Sequence, residues 1–261
     1  MTSGLKVLDP EGHDLLRGKV VVITAAGGSG IGFATARRCL LEGAQVVVSD
    51  RSERRLAAAA DLLRSNGVGE VTTVACDVTY PDQFERLLEE AERLVGPVDV
   101  LINNAGLGGE ATVTDMSDEQ WNKVLAVSLN GTFYGTRAAL RRMRVRQSGT
   151  IINVSSVTGW RAEIGQAHYA AAKAGVMALT RCAAVEAAQF NVRVNAVAPT
   201  LATHADLLKV VDEDVLEYWA GVQPQGRTAE TSEMASVIAF LASDYSSYMV
   251  GEVVSVGGLR A

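Results

Sequence analysis

Cysteine is scarce in this chain and never falls in a ligand pattern. Cys39, Cys76 and Cys182 lie far apart and form no CxxC pair. They offer neither a disulfide framework nor a metal site, and a reducing cytosol is the compartment they suit. Long apolar runs are lacking as well; none approaches the ~20 residues of a membrane span. Met1 to Asp14 contains no apolar core of a secretion signal, so no signal peptide is expected. Positive charge is not in excess. The formal net charge is −6, which disfavours nucleic acid or an anionic membrane as the main partner. There is no internal repeat and no low-complexity linker.

What remains is an ordinary soluble composition. The chain has 261 residues, 48% of them hydrophobic and 21% charged. That suits one α/β domain with a sizeable core. Residues 1–17 carry no clear periodicity and read as an extension ahead of a domain over 18–261. From there, apolar β-branched runs alternate with helical patterns. Strands are expected at 20–24, 46–49, 71–75, 98–102, 150–154, 192–197 and 253–256. Helices are expected at 31–42, 53–65, 82–95, 118–146, 168–189 and 231–242. Strands with few polar interruptions are buried on both faces, as in a parallel sheet. The alternation argues a doubly wound α/β fold of Rossmann type. Residues 200–228 break the rhythm. They are polar, carry one short helix over 214–220, and suit a substrate lid.

Three residues carry the chemistry. Tyr169 and Lys173 stand four apart on an expected helix, so they project from one face. A phenol of pKa about 10 is a poor catalyst near pH 7, and a nearby ammonium would lower it. Ser156 follows the apolar run 151–154, which would deliver it to a sheet edge. A hydroxyl, a phenol and an amine suit carbonyl and alcohol chemistry. Alone, the YxxxK spacing is common and could be an incidental pair on an amphipathic helix.

The first strand runs into Thr24-Ala-Ala-Gly27-Gly28-Ser29-Gly30-Ile31-Gly32, followed by a helix. Glycines there let the backbone approach a pyrophosphate, and the helix start offers N–H groups. Gly27, Ser29, Gly30 and Ile31 are the candidate contacts. Asp50, about 20 positions on, could accept bonds from the adenosine ribose and repel a 2′-phosphate. This favours NAD over NADP. Arg51 beside it could instead swing toward a 2′-phosphate. Asp77 with Val78 ends the third strand and could meet the adenine, or simply cap a turn. Asn103, Ala105 and Gly106 follow the fourth strand and leave room for a cofactor.

Together these motifs resemble the short-chain dehydrogenase/reductase family in its single-domain form. The matching pieces are the Gly-rich turn, Cys76-Asp77-Val78, Asn103-Asn104-Ala105-Gly106, Ser155-Ser156, Tyr169-x-x-x-Lys173 and Asn195-x-x-x-Pro199. The resemblance implies a seven-stranded sheet, a nicotinamide cofactor and a homotetramer. It implies Tyr169 as general acid/base and Lys173 as the residue that lowers its pKa and bonds the nicotinamide ribose. It implies Ser156 as the holder of the substrate oxygen, and Pro199 and Thr203 as cofactor contacts.

The chain departs from the family pattern in four places. Its first turn has one residue more than usual, with Ala25 where a glycine is expected. Ser128 aligns with the family's catalytic asparagine. Thr203 sits one position early, and His204 takes the expected place. No acidic residue precedes the last glycines. Further details resemble an actinobacterial branch acting on hydroxylated indane-propionate intermediates of steroid breakdown, as CoA thioesters. These are the turn with Ala36-Arg37-Arg38, Gly159-Trp160-Arg161-Ala162 and Asp244-Tyr245-Ser246-Ser247-Tyr248-Met249.

Substrate-side candidates are Trp160, Arg161 and His204. Trp160 could stack on a fused ring or simply pack. Arg161 could meet a carboxylate or CoA phosphate, or form a surface ion pair. His168 reads as structural. The arginines at 137, 141, 142, 144 and 146 read as a solvated helix end. The expected activity is interconversion of a secondary alcohol and a ketone. Rivals are an NADPH-dependent 3-oxoacyl thioester reductase and a non-catalytic dinucleotide-sensing protein. The sheer number of motifs retained together argues for the enzyme.

Overall fold

A computed structural model describes residue 7 and residues 9–65, 69–209 and 211–257. The expected strand–helix alternation is present. β1 (Val20–Ile23), α1 (Ile31–Leu41), β2 (Gln45–Asp50), α2 (Glu53–Ser65) and β3 (Val71–Ala75) form the first half. α3 (Pro81–Leu94), β4 (Val100–Asn103), α4 (Asp118–Leu125), α5 (Gly131–Arg146), β5 (Gly149–Val154), α6 (Ala167–Ala188) and β6 (Val192–Pro199) follow. The chain ends through β7 (Ala202–Thr203), α7 (Glu213–Gly221), β8 (Ala229–Glu230), α8 (Thr231–Ala242) and β9 (Val253–Val256). The seven main strands lie in the order β3-β2-β1-β4-β5-β6-β9, all parallel. β7 and β8 pair separately.

Alternation along each strand divides the core between two faces. Val21, Ile23, Val46 and Val48 pack with Leu40, Leu56 and Leu63 of α1 and α2, and with Ile238 of α8. Val20, Val22 and Val47 pack on the opposite face with Phe84 and Leu87 of α3, Met143 of α5 and Ala184 of α6. Both faces are covered, so the strands read as nearly unbroken apolar runs. The order reverses between β1 and β4. Ligands of such sheets bind outside the carboxyl ends at this switch.

Two expectations change. The single helix over 118–146 is split by a wider π turn at Ala126–Asn130. Such turns gather at functional sites, and this one carries Ser128 toward the loop after β4. The arginines near the end of α5 are not merely solvated. Arg141 and Arg142 pair with Glu85, and Arg142 and Arg146 with Glu92, both on α3. Arg137 lies 4.8 Å over the Phe133 ring. The periodicity of one helix does not disclose its neighbour's charges.

The described part of the N-terminal extension is stapled to α1. Glu42 is fully buried and pairs with the buried Arg38. Its other oxygen, Oε2, accepts the His13 and Leu15 N–H groups at 2.8 and 3.1 Å. Arg38 in turn donates to the carbonyls of Pro10 and Glu11. Leu16 drops into the core. Replacing Glu42 by alanine would leave a buried arginine unpaired, at a cost of about 3–5 kcal/mol. Glu42→Ala is therefore expected to lower the midpoint of thermal unfolding by about 10 °C. A shift under about 2 °C would show that water or rearrangement replaces the staple.

Candidate active site

The Gly-rich turn is built around close backbone approach. Ala25 adopts φ +53°, the left-handed conformation a glycine would take most easily. A Cβ on Gly27 would lie 2.8 Å from the Asp50 Cβ, so only glycine lets β2's end approach the turn. Asn104 holds the turn from the other side. Its Nδ2 donates to the carbonyls of Thr24 and Ala25 at 2.9 and 3.2 Å. The Thr24 hydroxyl accepts the N–H groups of Asn104 and Ala105. Gly30 caps α1 without a side-chain bond, leaving N–H groups at the helix start for an anion.

Beside this turn lies a cavity of about 220 Å³. Asp50, Arg51, Asp77, Val78, Ala105 and Gly106, all expected on the cofactor side, line it together with Ala25. An addition is Arg55, which also lines it and donates from Nη2 to Asp50 Oδ1 at 2.7 Å. Asp50 is buried at 4% exposure, and its Oδ1 also accepts the Ser52 N–H. Asp77 Oδ1 accepts the Thr79 N–H and hydroxyl, so one oxygen serves a turn. A Cβ on Gly106 would lie 3.2 Å from Lys173 Nζ. The turn and cavity are the candidate place for the adenosine and pyrophosphate of a dinucleotide, and Gly106, which lines the cavity, adjoins Lys173.

Asn103 faces elsewhere. Its side chain is buried, donates to Thr136 Oγ1 and Asn153 Oδ1, and leaves Oδ1 without a partner. Strand alternation turns it into the interior and gives the turn to Asn104. The Asn103-Asn104 doublet was the available signal.

Ser156 and Tyr169 line a second cavity of about 250 Å³. Ser156 follows β5 and is nearly buried; its Oγ donates to Thr158 Oγ1 and accepts the Thr158 N–H. Burial pushes the Tyr169 phenol upward, a hydrogen bond with Ser156 pulls it down, and the Glu163 carboxylate pushes it up; the net direction is up. Lys173 is buried and donates from Nζ to the Val154 carbonyl at 2.7 Å. Burial lowers its pKa to about 8. Nζ lies 5.5 Å from the Tyr169 ring centroid. Burial, the largest cause for each group, works against the expected lowering of the tyrosine by the lysine. Both groups are desolvated, and each shifts toward its neutral form. Ser155, next to Ser156, donates to the Lys173 carbonyl at 2.8 Å and ties α6 to β5.

The Ser128 hydroxyl accepts the Leu107 N–H and donates to the Leu107 carbonyl. Its own carbonyl accepts from Thr132 Oγ1. The polar partner of Lys173 is Val154, not Ser128. Ser128 pins the loop after β4. His168 is buried and its Nδ1 accepts the Tyr169 N–H, a structural role as expected.

Several assignments change in and around the segment expected as a lid. Pro199 ends β6 beside Val256. Thr203 turns its hydroxyl to β8, onto the Ala229 carbonyl and Thr228. His204, expected near substrate, instead reaches the phosphate turn, with Nδ1 3.2 Å from Ser29 Oγ. The β7 pairing fixes this alternation. Asp206 joins it. Its Oδ2 accepts the Ser29 N–H at 3.2 Å and the Ser29 hydroxyl at 2.9 Å. Lys209 and then Ser29 hold that carboxyl down to about 2. Trp160 follows a tight turn, is 43% exposed and does not line the Ser156 cavity. Trp219, on lid helix α7, does line it. The aromatic pair Tyr218-Trp219 inside the expected lid was the missed signal. Arg161 lines the cavity and also forms an ion pair, with Glu163.

Comparison with known proteins identifies the family. A family model described as enoyl-(acyl carrier protein) reductase matches residues 25–259. A Mycobacterium tuberculosis protein is 56% identical over 246 residues, covering 94% of each chain. It is named (5R,7aS)-5-hydroxy-7a-methyl-1-oxo-2,3,5,6,7,7a-hexahydro-1H-indene-carboxyl-CoA reductase. A 3-oxoacyl-[acyl-carrier-protein] reductase of Thermotoga maritima is 39% identical, covering 93% of this chain and 98% of the relative. The crystal structure of a short-chain dehydrogenase from Mycobacterium smegmatis superposes with a TM-score of 0.88 at 51% identity, covering 99% of both chains. The chain belongs to the short-chain dehydrogenase/reductase family, oxidoreductases that use a nicotinamide dinucleotide.

Proposed function

We propose that this protein interconverts a secondary alcohol and a ketone on a bicyclic, steroid-derived acyl-CoA thioester, with NAD as its cofactor. The observation that carries the reading is the meeting of Ser156, Tyr169 and Lys173 between one substrate-sized cavity and the cofactor side. The substrate class is supported by the 56% identical relative, which is named as a hydroxy-indene-carboxyl-CoA reductase. The 3-oxoacyl carrier-protein reductases stand further away, at 39% and below.

Tyr169 moves the proton to or from the substrate oxygen. Ser156 donates a hydrogen bond to that oxygen and favours the state in which charge develops there. A bound nicotinamide ring would give or take the hydride. Lys173, still largely an ammonium at pH 7, stabilises charge on the phenol. Asp50 supports NAD, because a buried carboxylate at the end of β2 repels a 2′-phosphate. Ser29, Gly30 and Ile31 are assigned to the pyrophosphate, and Asp206 must leave Ser29 for that to happen. We assign the protein to the cytosol, in keeping with three free cysteines. A homotetramer is the proposed assembly, supported by exposed Phe133 on α5 and Val185 on α6.

Tyr169→Phe is expected to cut turnover by about 10²–10⁴-fold. Dinucleotide binding, followed by fluorescence, should survive; full retained activity would remove Tyr169 from the mechanism. Asp50→Ala should lower the preference for NADH over NADPH, as a ratio of kcat/KM, by at least about tenfold. An unchanged ratio would show that Arg51 and Arg55 decide the cofactor.

Lys173→Met should abolish turnover yet raise stability, because it removes a buried charge. The pH dependence has a definite sign. From about pH 8 to the ordinary lysine value of 10.5, the unfolded chain binds a proton that the folded chain has lost. Stability from this group therefore rises with pH across that window. Tyr169 acts oppositely above pH 10, so pH 8–10 is the range to measure. The wild type should gain stability relative to Lys173→Met between those values in urea titrations. A constant difference would contradict the lowered lysine.

A further inference from the structure

The cavity that holds Ser156 and Tyr169 contains an ion pair that the reaction does not use. Arg161 and Glu163 both line it. Arg161 Nε lies 3.3 Å from Glu163 Oε1, and both side chains are less than one-third exposed. The guanidinium carbon sits 5.7 Å over the Trp219 ring of the lid. Despite the close carboxylate, Nε is buried and makes no hydrogen bond of good geometry. The pair therefore presents donors to the cavity with its net charge already balanced.

We infer that Arg161 binds the acyl carbonyl of the substrate, and that Glu163 makes the site accept a neutral thioester and reject the free carboxylic acid. This inference rests on the acyl-thioester reading of the preceding subsection. A thioester carbonyl needs only a donor, and a guanidinium has five N–H groups to share. It can bind without disturbing Glu163. A free carboxylate meets the Glu163 carboxylate at the same guanidinium. Either two like charges crowd together in a half-buried site, or Glu163 is displaced and left uncompensated. Rejection of the acid thus comes from a repulsive element, and acceptance of the thioester from an attractive one. The reacting oxygen is held at Ser156 and Tyr169, in the same cavity as Arg161. An acyl group a few bonds from the reacting carbon fits that span. The Trp219 ring, stacked on Arg161, brings the lid against the same group. Glu163 and Tyr169 line the same cavity, and the Glu163 carboxylate pushes the Tyr169 phenol upward.

The test uses the full chain with NAD, a bicyclic β-hydroxyacyl-CoA and the corresponding free acid. The ratio of kcat/KM for thioester over acid is read from NADH absorbance. Glu163→Gln keeps the shape and removes the charge, and should lower that ratio at least about tenfold, chiefly by admitting the acid. Arg161→Gln should raise the thioester KM more than it lowers kcat. Thermal melts and NADH binding confirm that the variants are folded. Calorimetric titration of both compounds into wild type and Glu163→Gln reads the pair independently of turnover. The thioester-to-acid affinity ratio should fall in the variant. An equal ratio in the two proteins overturns the inference. If the wild type turns over neither compound but the affinity ratio still falls, the substrate reading fails and the role of the pair stands.

Discussion

A buried ammonium organises the catalytic end of this protein. Among the described residues no carboxylate forms an ion pair with Lys173; it is held by the Val154 carbonyl at the end of β5. Burial of that charge costs free energy, and the apolar packing of α6 against the sheet offsets it. The result is geometric control. β5 ends at the lysine's acceptor, Ser155 ties the next residue to the backbone of α6, and Ser156 follows at the cavity. Tyr169, one turn earlier on α6, is placed by the same two contacts. A reactive set is thus assembled from a strand end and a helix, which are rigid, rather than from loops.

The dinucleotide side works by approach rather than by charge. Gly27 lets the turn rest on Asp50, Ala25 takes a left-handed conformation, and Asn104 ties the turn to the end of β4. Asp50 is partly satisfied by Arg55, so its field is softened on one oxygen. The extra residue in the turn carries Ser29 out to the lid, where Asp206 meets it. A carboxylate at that N–H occupies the kind of donor that a phosphate oxygen uses. On the proposed reading, cofactor entry and the position of residues 200–228 would be coupled through one serine.

Two walls from different parts of the chain line the candidate substrate cavity. Ser156, Tyr169 and the Arg161–Glu163 pair belong to segments anchored on β5 and α6. Trp219 comes from α7, between the two short strands of the lid. The stacking of Arg161 on Trp219 joins these walls. Charge balance within the wall, rather than cavity shape alone, then selects among substrates of similar size.

Much of this was legible in the sequence. Apolar β-branched runs marked the seven strands, because a sheet covered on both faces needs them. The spacing of Ser156, Tyr169 and Lys173, and the acid about 20 residues beyond the first turn, marked both halves of the site. These signals rest on short separations along the chain, Tyr169 and Lys173 within one helix and the others across neighbouring elements. Pairings across elements were not legible. The choice of Asn104 over Asn103, of Trp219 over Trp160, and of the phosphate turn for His204 depends on alternation at strand ends and on where the lid docks. The same holds for Arg55 on Asp50 and for the lowered pKa of Lys173. Burial and cross-element distance set hydrogen-bond partners and proton affinities, and both exist only after the chain has packed.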